Sequence, residues 1–185
     1  MDSVTESAPQ KTVDQPKYNT AMSGMRPTGK LHIGHYFGVL ENWVKLQHQY
    51  DCYFMVADWH ALTTKYQQTD SIENDIYEMV LDWLAAGIEP DKAVIYVQSA
   101  IPEIAELHLL LSMLTPLPWV RGDPTLKDMV KLLSEDLNYG LLGYPVLQTA
   151  DILTMLGQYV PVGKDQLAHL EISCDIARRF NYMYQ

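Results

Sequence analysis

Cysteine, positive charge and long apolar runs are all scarce in this chain. Its two cysteines, Cys52 and Cys174, form no Cys-x-x-Cys pair, so we expect buried, reduced thiols rather than a disulfide framework or a cysteine metal site. No apolar run has the length of a membrane span, and the N-terminus lacks the pattern of a secretory signal. The sequence therefore predicts a cytoplasmic protein that does not contact a membrane.

The charge balance limits the kinds of partner that this segment can have. The 13 Lys and Arg residues are outnumbered by 23 Asp and Glu residues, which gives a formal net charge of −10. Such a surface argues against a broad nucleic-acid-binding face, and we expect no DNA partner. With 185 residues, of which 48% are hydrophobic, the chain suits one domain that buries a sizeable core.

Apolar segments with the pattern of strands alternate along the chain with apolar segments that have the pattern of helices. Residues 1–20 are polar and predict a flexible tail, whereas 21–185 predict a catalytic or binding domain. We expect strands at 21–25, 52–57, 93–97 and 159–162. We expect helices at 34–49, 70–86 (with Asp70 as the N-cap and Gly87 as the stop), 102–114, 124–135, 144–155 and 165–183. This alternation predicts an α/β fold with a Rossmann-like, doubly wound parallel sheet, whose ligands bind at the carboxyl ends of the strands.

The most informative motif is Pro-Thr-Gly-Lys-Leu-His-Ile-Gly-His at positions 27–35. Gly29 and Gly34 permit a tight loop and a close approach of a ligand to the backbone, and a helix N-terminus follows. His32 and His35 can then both donate to phosphoryl oxygens. A metal site at these histidines is the weaker interpretation, because no third ligand has suitable spacing.

A second motif, Gly-Tyr-Pro-Val-Leu-Gln-Thr-Ala-Asp, ends at Asp151. Helical spacing brings Tyr144, Gln148 and Asp151 close to one face. A buried carboxylate there needs a partner, which would make Asp151 a ligand-binding group. An exposed or helix-capping Asp is an equally good interpretation of the pattern alone.

Two further segments lie at the ends of expected strands. They are therefore expected at the ligand-binding edge of the sheet, where the strands have their carboxyl ends. Val-Pro-Val-Gly-Lys-Asp-Gln at 160–166 offers Gly163 for close approach and Gln166 for hydrogen bonding, although Asp165 could simply cap the last helix. His60 could line the pocket or be an ordinary core histidine. The pattern slightly favours the core histidine. The remaining candidates, His48, His108 and His169, are expected to be ordinary residues.

Together these motifs resemble one family. Met-Ser-Gly-Met-Arg-Pro-Thr-Gly at 22–29, His-Ile-Gly-His at 32–35 and Ala-Asp-Trp-His-Ala-Leu-Thr at 57–63 precede the 143–151 and 160–166 motifs in the order found in bacterial-type tryptophanyl-tRNA synthetases. The resemblance spans about 21–185 and implies a class I synthetase catalytic domain. The family's Lys-Met-Ser-Lys-Ser loop and its anticodon-binding domain have no counterpart here, so we expect an N-terminal portion of a longer enzyme.

The resemblance also implies an activity and a set of site residues. The expected reaction is attack of the L-tryptophan carboxylate on ATP, which arrives with Mg²⁺, followed by transfer of the acyl group to tRNA(Trp) in a homodimer without a protein-bound metal. His32 and His35 would be catalytic. The expected ATP-binding residues are Arg26, Pro27, Thr28, Gly34, His35, Gly163, Lys164 and Asp165. The expected tryptophan-binding residues are Asp151 (to the indole N–H), Tyr144, Gln148, Gln166, Met22, His60, Val160 and Val162.

Three alternatives remain open at this point. A tyrosyl-tRNA synthetase shares the fold and the Tyr-Pro…Gln…Asp segment, but its enzymes tend to carry a second glycine in the segment that matches 160–166. A small nucleotidyltransferase shares the phosphate motif but has no need of Asp151 or Gln166. A short paralogue could bind tryptophan or ATP without charging tRNA.

Overall fold

A parallel sheet forms the centre of the molecule. The computed structural model describes residues 18–122 and 138–184. Within them the sheet has three strands in the order β1 (Thr20–Met25), β2 (Asp51–Val56) and β3 (Ala93–Val97). In register, Ala21 lies opposite Cys52, which in turn lies opposite Ala93. These strands agree with the predicted ones to within one residue. β2 and β3 consist mainly of apolar residues, as a doubly covered parallel strand requires, whereas β1 also contains Thr20, Ser23 and Gly24.

The fourth predicted strand is reduced to a single bridge. Tyr159 pairs in parallel with Ala21, and the Met22 N–H donates to the Tyr159 carbonyl over 2.9 Å, but 159–162 do not continue as a strand. Pro161 has no N–H to extend a ladder, and its carbonyl instead accepts from the Ser23 hydroxyl. Since β2 occupies the other edge of β1, the strand order reverses at β1, as in a doubly wound sheet.

Helices connect the strands and follow them. Two 3₁₀ turns accompany the helices, at Gln98–Ala100 and Lys164–Gln166. The helices are α1 (Ile33–His35), α2 (Glu41–Leu46), α3 (Asp58–Lys65), α4 (Ile72–Ala86), α5 (Pro102–Leu114), α6 (Leu117–Arg121), α7 (Tyr139–Leu142), α8 (Tyr144–Thr154) and α9 (Leu167–Tyr184).

Several predicted boundaries and elements were wrong. The helix expected at 34–49 is interrupted by a π-helical turn, Tyr36–Leu40, between α1 and α2. Helix α4 has Ser71 rather than Asp70 as its N-cap, without a side-chain capping bond, although Gly87 ends it with φ of 107° as expected. Helix α3 was not predicted. The flexible-tail prediction for 1–20 fails at Thr20, which begins β1 and is buried; residues 1–17 and the helix expected at 124–135 lie outside the described residues.

Alternate side chains of β2 enter two different cores. Phe54 points toward α2 and α4, where its ring stacks on Trp43 at 4.4 Å between centroids, and Trp83 meets Trp43 edge-on at 5.0 Å. Met55 points the other way, into a cluster with Met22 and other buried side chains beneath α8. The sheet is therefore covered on both faces, and this fixes which strand ends open toward solvent.

The two cysteines differ in environment. Cys52 is buried, and burial together with the charge of Asp51 raises the pKa of its thiol to about 11, so it stays protonated near neutral pH. Cys174 is exposed on α9, which contradicts the prediction that both thiols are buried. Among the described residues, no helix combines the length and apolar character needed to cross a membrane.

Candidate functional site

Asp151 lies at the centre of the site. Helix α8 places it in the interior with 0% of its surface exposed, which rules out an exposed or capping role. Its Oδ2 lies 2.8 Å from Nε2 of His60, and its Oδ1 accepts from Nε2 of Gln98 over 2.8 Å. A buried carboxylate is stable only when such donors replace the lost water. Each carboxylate oxygen keeps a further lone pair for another donor.

Gln98 is a site residue that the sequence analysis missed. It is fully buried in the turn after β3, and its Oε1 accepts from the backbone N–H groups of Trp59 at 3.1 Å and His60 at 3.4 Å. These bonds fix the amide so that its nitrogen faces Asp151. Its position in the sequence was the available signal, because Gln98 directly follows the carboxyl end of a parallel strand, where ligands of such sheets bind.

His60 links the Asp151–Gln98 pair to the aromatic ring of Tyr144. It is 2% exposed, so it is a core histidine, but it also contacts the site: its ring lies 4.2 Å from that of Tyr144. Because the Asp151 carboxylate is an acceptor, Nε2 of His60 carries the hydrogen. Nδ1 of His60 is buried and has no hydrogen-bond partner within the described part of the chain. His60 therefore holds one oxygen of Asp151 and one face of Tyr144 at the same time.

Two predicted glutamines are brought together by a histidine that was expected to be ordinary. His169, which is 2% exposed, lies with its Nδ1 at 3.0 Å from Oε1 of Gln148 and at 3.0 Å from Oε1 of Gln166. Its ring is 5.4 Å from that of Tyr144. The spacing argument that put Tyr144, Gln148 and Asp151 near one face of a helix agrees with these contacts.

The remaining predicted tryptophan-side residues are apolar. Met22 and Val160 belong to one cluster with Ile152, the residue after Asp151. Val162 is partly exposed and follows Pro161, whose carbonyl is held by Ser23 of β1. Apolar side chains thus lie beside the buried polar network, a combination typical of a small-molecule site.

The predicted phosphate side begins with two mutually arranged histidines. Nδ1 of His32 accepts from the Gly34 N–H, and Nδ1 of His35 accepts from the His32 N–H, each over 3.1 Å. Both Nδ1 atoms are therefore acceptors, so the hydrogen of each neutral ring is on Nε2. Burial and the neighbouring His32 lower the pKa of His35, which favours this neutral form. The centroids of the two rings are 4.0 Å apart, and each ring carries an Nε2–H donor.

Two glycines make this arrangement possible. Gly29 has φ of +124°, a conformation that other residues rarely adopt. At Gly34 a Cβ would lie 2.9 Å from Cε1 of His32 and 3.0 Å from its Nδ1, so only glycine lets the ring fold over the helix N-terminus. The unusual backbone conformation expected at Gly29 is confirmed. At Gly34 the group in close approach is the His32 ring, and the approach of a ligand there stays a prediction.

The other predicted ATP-side residues lie on two loops at one edge. Arg26, Pro27 and Thr28 follow β1, and Pro27 is buried. Gly163 is the N-cap of the 3₁₀ turn that contains Lys164; the side chain of Asp165 lies outside the described set. Because Tyr159 runs parallel to β1, both loops leave the same edge of the sheet. Within the described residues, no group of three or more His, Cys, Asp or Glu side chains could hold a metal ion.

Comparison with known proteins defines the class. The sequence pattern of the family described as tRNA synthetases class I (W and Y) matches residues 16–185. The chain belongs to this family. It is 58% identical over 165 residues to the tryptophan–tRNA ligase of Ralstonia nicotianae, covering 88% of this chain and 41% of the relative. It is 52% identical over 175 residues to that of Chlamydia caviae, covering 91% and 51%. The chain thus spans about half the length of these curated relatives.

Solved structures support the assignment of the chain to the class I tRNA synthetases. Tryptophanyl-tRNA synthetase of Campylobacter jejuni, solved with ADP and tryptophan, superposes with a TM-score of 0.82 at 36% identity, covering 88% of this chain and 50% of that one. Tyrosyl-tRNA synthetase of Archaeoglobus fulgidus superposes with a TM-score of 0.76 at 19% identity, covering 90% and 53%, and shows only the shared fold. The predicted Rossmann-like catalytic fold of a class I synthetase is confirmed.

The packing at Gly34 gives a prediction about stability. Replacing Gly34 by alanine should displace the His32 ring and remove its capping bond, lowering the free energy of unfolding by about 1 kcal/mol. Gly38 lies in the adjacent π-helical turn with open space around it, so Gly38→Ala is the matched control and should be neutral or mildly stabilising. Urea unfolding measures both variants. Equal stability of the two would show that the His32 cap contributes nothing.

Proposed function

We propose that residues 21–185 form the ATP- and amino-acid-binding part of a tryptophan–tRNA ligase. The observation that carries this proposal is the buried Asp151 carboxylate, held by His60 and Gln98 with spare lone pairs beside apolar side chains. A ligand that is mostly apolar but carries one N–H donor complements such a site, and the indole ring of L-tryptophan has this chemistry. Relatives at 58% and 52% identity that are tryptophan–tRNA ligases support the same substrate.

On the amino-acid side, the indole N–H would donate to Asp151. Phenylalanine has no such donor and would leave a buried carboxylate short of a partner, so it would be rejected more strongly than its loss of apolar area implies. Gln148, Gln166 and Tyr144 would surround the α-amino group. Met22, Val160 and Val162 would line the indole slot. These roles are consistent with the contacts that join the polar members of the set.

On the nucleotide side, the tryptophan carboxylate would attack the α-phosphorus of ATP, forming tryptophanyl-adenylate as the bond to pyrophosphate breaks. The carboxylate is already a competent nucleophile, so catalysis requires positioning and stabilisation of phosphoryl charge. The Nε2–H groups of His32 and His35 would donate to phosphoryl oxygens. Mg²⁺ would arrive as part of the ATP substrate. The acyl group would then pass to the 3′ end of tRNA(Trp), in the cytoplasm.

Amino-acid-dependent exchange of pyrophosphate into ATP tests the proposal. The protein expressed from its complete natural reading frame is assayed with tryptophan and with tyrosine in parallel. We expect exchange with tryptophan and at least about a hundredfold less with tyrosine, since the two differ in both shape and donor position. Exchange driven by tyrosine would favour the tyrosyl enzyme. Binding of tryptophan without exchange would favour a non-charging paralogue.

Asp151→Asn should weaken tryptophan binding about tenfold while leaving ATP binding unchanged. The variant loses the charge-assisted bond to the indole, a cost of about 1–2 kcal/mol. It should still fold, because His60 can change tautomer and accept from the new amide. Calorimetric titration with each ligand measures the effect, and Asp82→Asn, at an exposed position on α4, is the control. Equal losses for both ligands would count against Asp151 as the indole-reading group.

Replacing His32 or His35 by alanine should slow adenylate formation about 10²–10³-fold with little change in tryptophan affinity. A donor that meets charge developing in the transition state affects kcat more than ground-state binding. Rapid-quench measurement of adenylate formation provides the rate. His48→Ala, at an exposed position after α2, is the matched control. A normal rate in the double variant would exclude both histidines from the phosphoryl contacts.

We also propose that the protein works as a homodimer. Leu109, Leu110 and Met113 lie on one face of α5 and expose 57, 57 and 74% of their surfaces, and Tyr139 exposes 72%. Large exposed apolar side chains that are grouped on one helix face, as on α5, commonly mark a protein interface. Met113→Glu should shift the protein to monomer in sedimentation analysis, whereas Tyr182→Glu, at a position 88% exposed near the end of α9, should not. A wild-type protein that sediments as a monomer would exclude the dimer.

A further inference from the structure

His169 connects three elements of the site. It lies in the first turn of α9 and contacts Gln148 of α8 and Gln166 of the preceding 3₁₀ turn, each through Nδ1 at 3.0 Å. Both contacted atoms are amide carbonyl oxygens, which can only accept. Nδ1 of His169 must therefore carry the hydrogen and donate to both oxygens in a three-centre bond.

This shared donor brings two acceptors together. Since each oxygen lies 3.0 Å from the same nitrogen, the two are at most about 6 Å apart. An amide carbonyl oxygen has two lone pairs, so an oxygen that accepts from His169 is able to accept from a second donor as well. Tyr144 lies beside the same histidine, with its ring centroid 5.4 Å from that of His169. Two converging carbonyl oxygens next to an aromatic ring form an environment suited to an ammonium group.

The position of His169 is itself fixed by buried hydrogen bonds. The hydroxyls of Ser173 and Thr149 lie 2.8 Å apart, and they lie 2.9 Å from the His169 carbonyl and 2.8 Å from the Pro145 carbonyl, respectively. Since each hydroxyl has one hydrogen, one hydroxyl donates to the other, which donates to the carbonyl of its own helix. Thr149 is fully buried and Ser173 is 6% exposed. This chain ties α9 to α8, so the donor of His169 is held in place before any ligand arrives.

We propose that His169 is a positioning residue that holds the amide oxygens of Gln148 and Gln166 toward the α-ammonium group of the substrate. The proposal rests on the proposed function, because it assigns one substrate group to a part of the same site. His169 acts through the two glutamines and does not itself contact the substrate. Without its donor the two oxygens lose the shared hydrogen bond that makes them converge.

Two neutral substitutions separate this role from simple packing. In His169→Asn the amide nitrogen occupies about the place of Nδ1, whereas in His169→Gln it occupies about the place of Nε2. The probes are tryptophan, tryptamine, which lacks the carboxylate, and indole-3-propionate, which lacks the amino group. Calorimetric titration of the protein from its complete natural reading frame gives the three affinities for each variant.

We expect His169→Gln to bind tryptophan and tryptamine about tenfold more weakly, the effect of losing one oriented hydrogen bond. Its affinity for indole-3-propionate should be unchanged. His169→Asn should bind all three probes within about threefold of the wild type, because it keeps the donor. His48→Gln, at an exposed position, should have no effect.

The other outcomes overturn the proposal. Equal loss for all three probes in both variants would indicate packing alone, and a loss confined to indole-3-propionate would assign the glutamines to the carboxylate. Unchanged affinities in His169→Gln would show that the donor is not needed. Should His169→Gln fail to fold, the double replacement Gln148→Met with Gln166→Met removes both oxygens and should show the same selective loss. A wild-type protein that binds no tryptophan would instead refute the proposed function.

Discussion

The interaction on which the site depends is the burial of the Asp151 carboxylate between two donors. A carboxylate without water is costly, and here Gln98 and His60 each supply a hydrogen bond of 2.8 Å. These donors come from the end of β3 and from α3, while Asp151 comes from α8. The sheet, the helix after β2 and the later helical layer must therefore all be in place before this group is stable. The most selective part of the site is also a constraint on the fold.

The two sides of the site reach preorganisation in different ways. Around Asp151 the side chains hold one another in a dry interior, and the resulting network extends through Tyr144 to His169. At the phosphate side the backbone does this work, because Gly34 and its neighbours use their N–H groups to fix which ring nitrogen of His32 and His35 carries the hydrogen. The Asp151 network is buried, whereas His32 is exposed and His35 is partly exposed.

The sequence predicted the fold where one signal dominated and failed where tertiary context decided. β2 and β3 are mainly apolar runs, and β1 is a short extended segment that leads into the loop with the His-Ile-Gly-His motif, so all three were located closely. Helix α3 was missed because its residues, Asp-Trp-His-Ala-Leu-Thr-Thr-Lys, show no clear helical periodicity, and the structure uses them to carry polar groups to the site. Gln98 was not singled out, and His169 was expected to be an ordinary residue, because a neutral amide and a lone histidine on a helix have no distinctive pattern. Their importance arises only from what the fold places beside them.

The attachment of Tyr159 to β1 has a consequence for plasticity. Among the described residues, the backbone bonds that join this segment to β1 are those from Met22 to Tyr159 and from Gln158 and Tyr159 to the Thr20 carbonyl. A segment held by so few bonds can open locally at a small fraction of the free energy needed to disrupt the central ladder. The backbone around Tyr159 and Val160 can therefore shift at a lower cost in free energy than the buried hydrogen bonds of Asp151 can be broken.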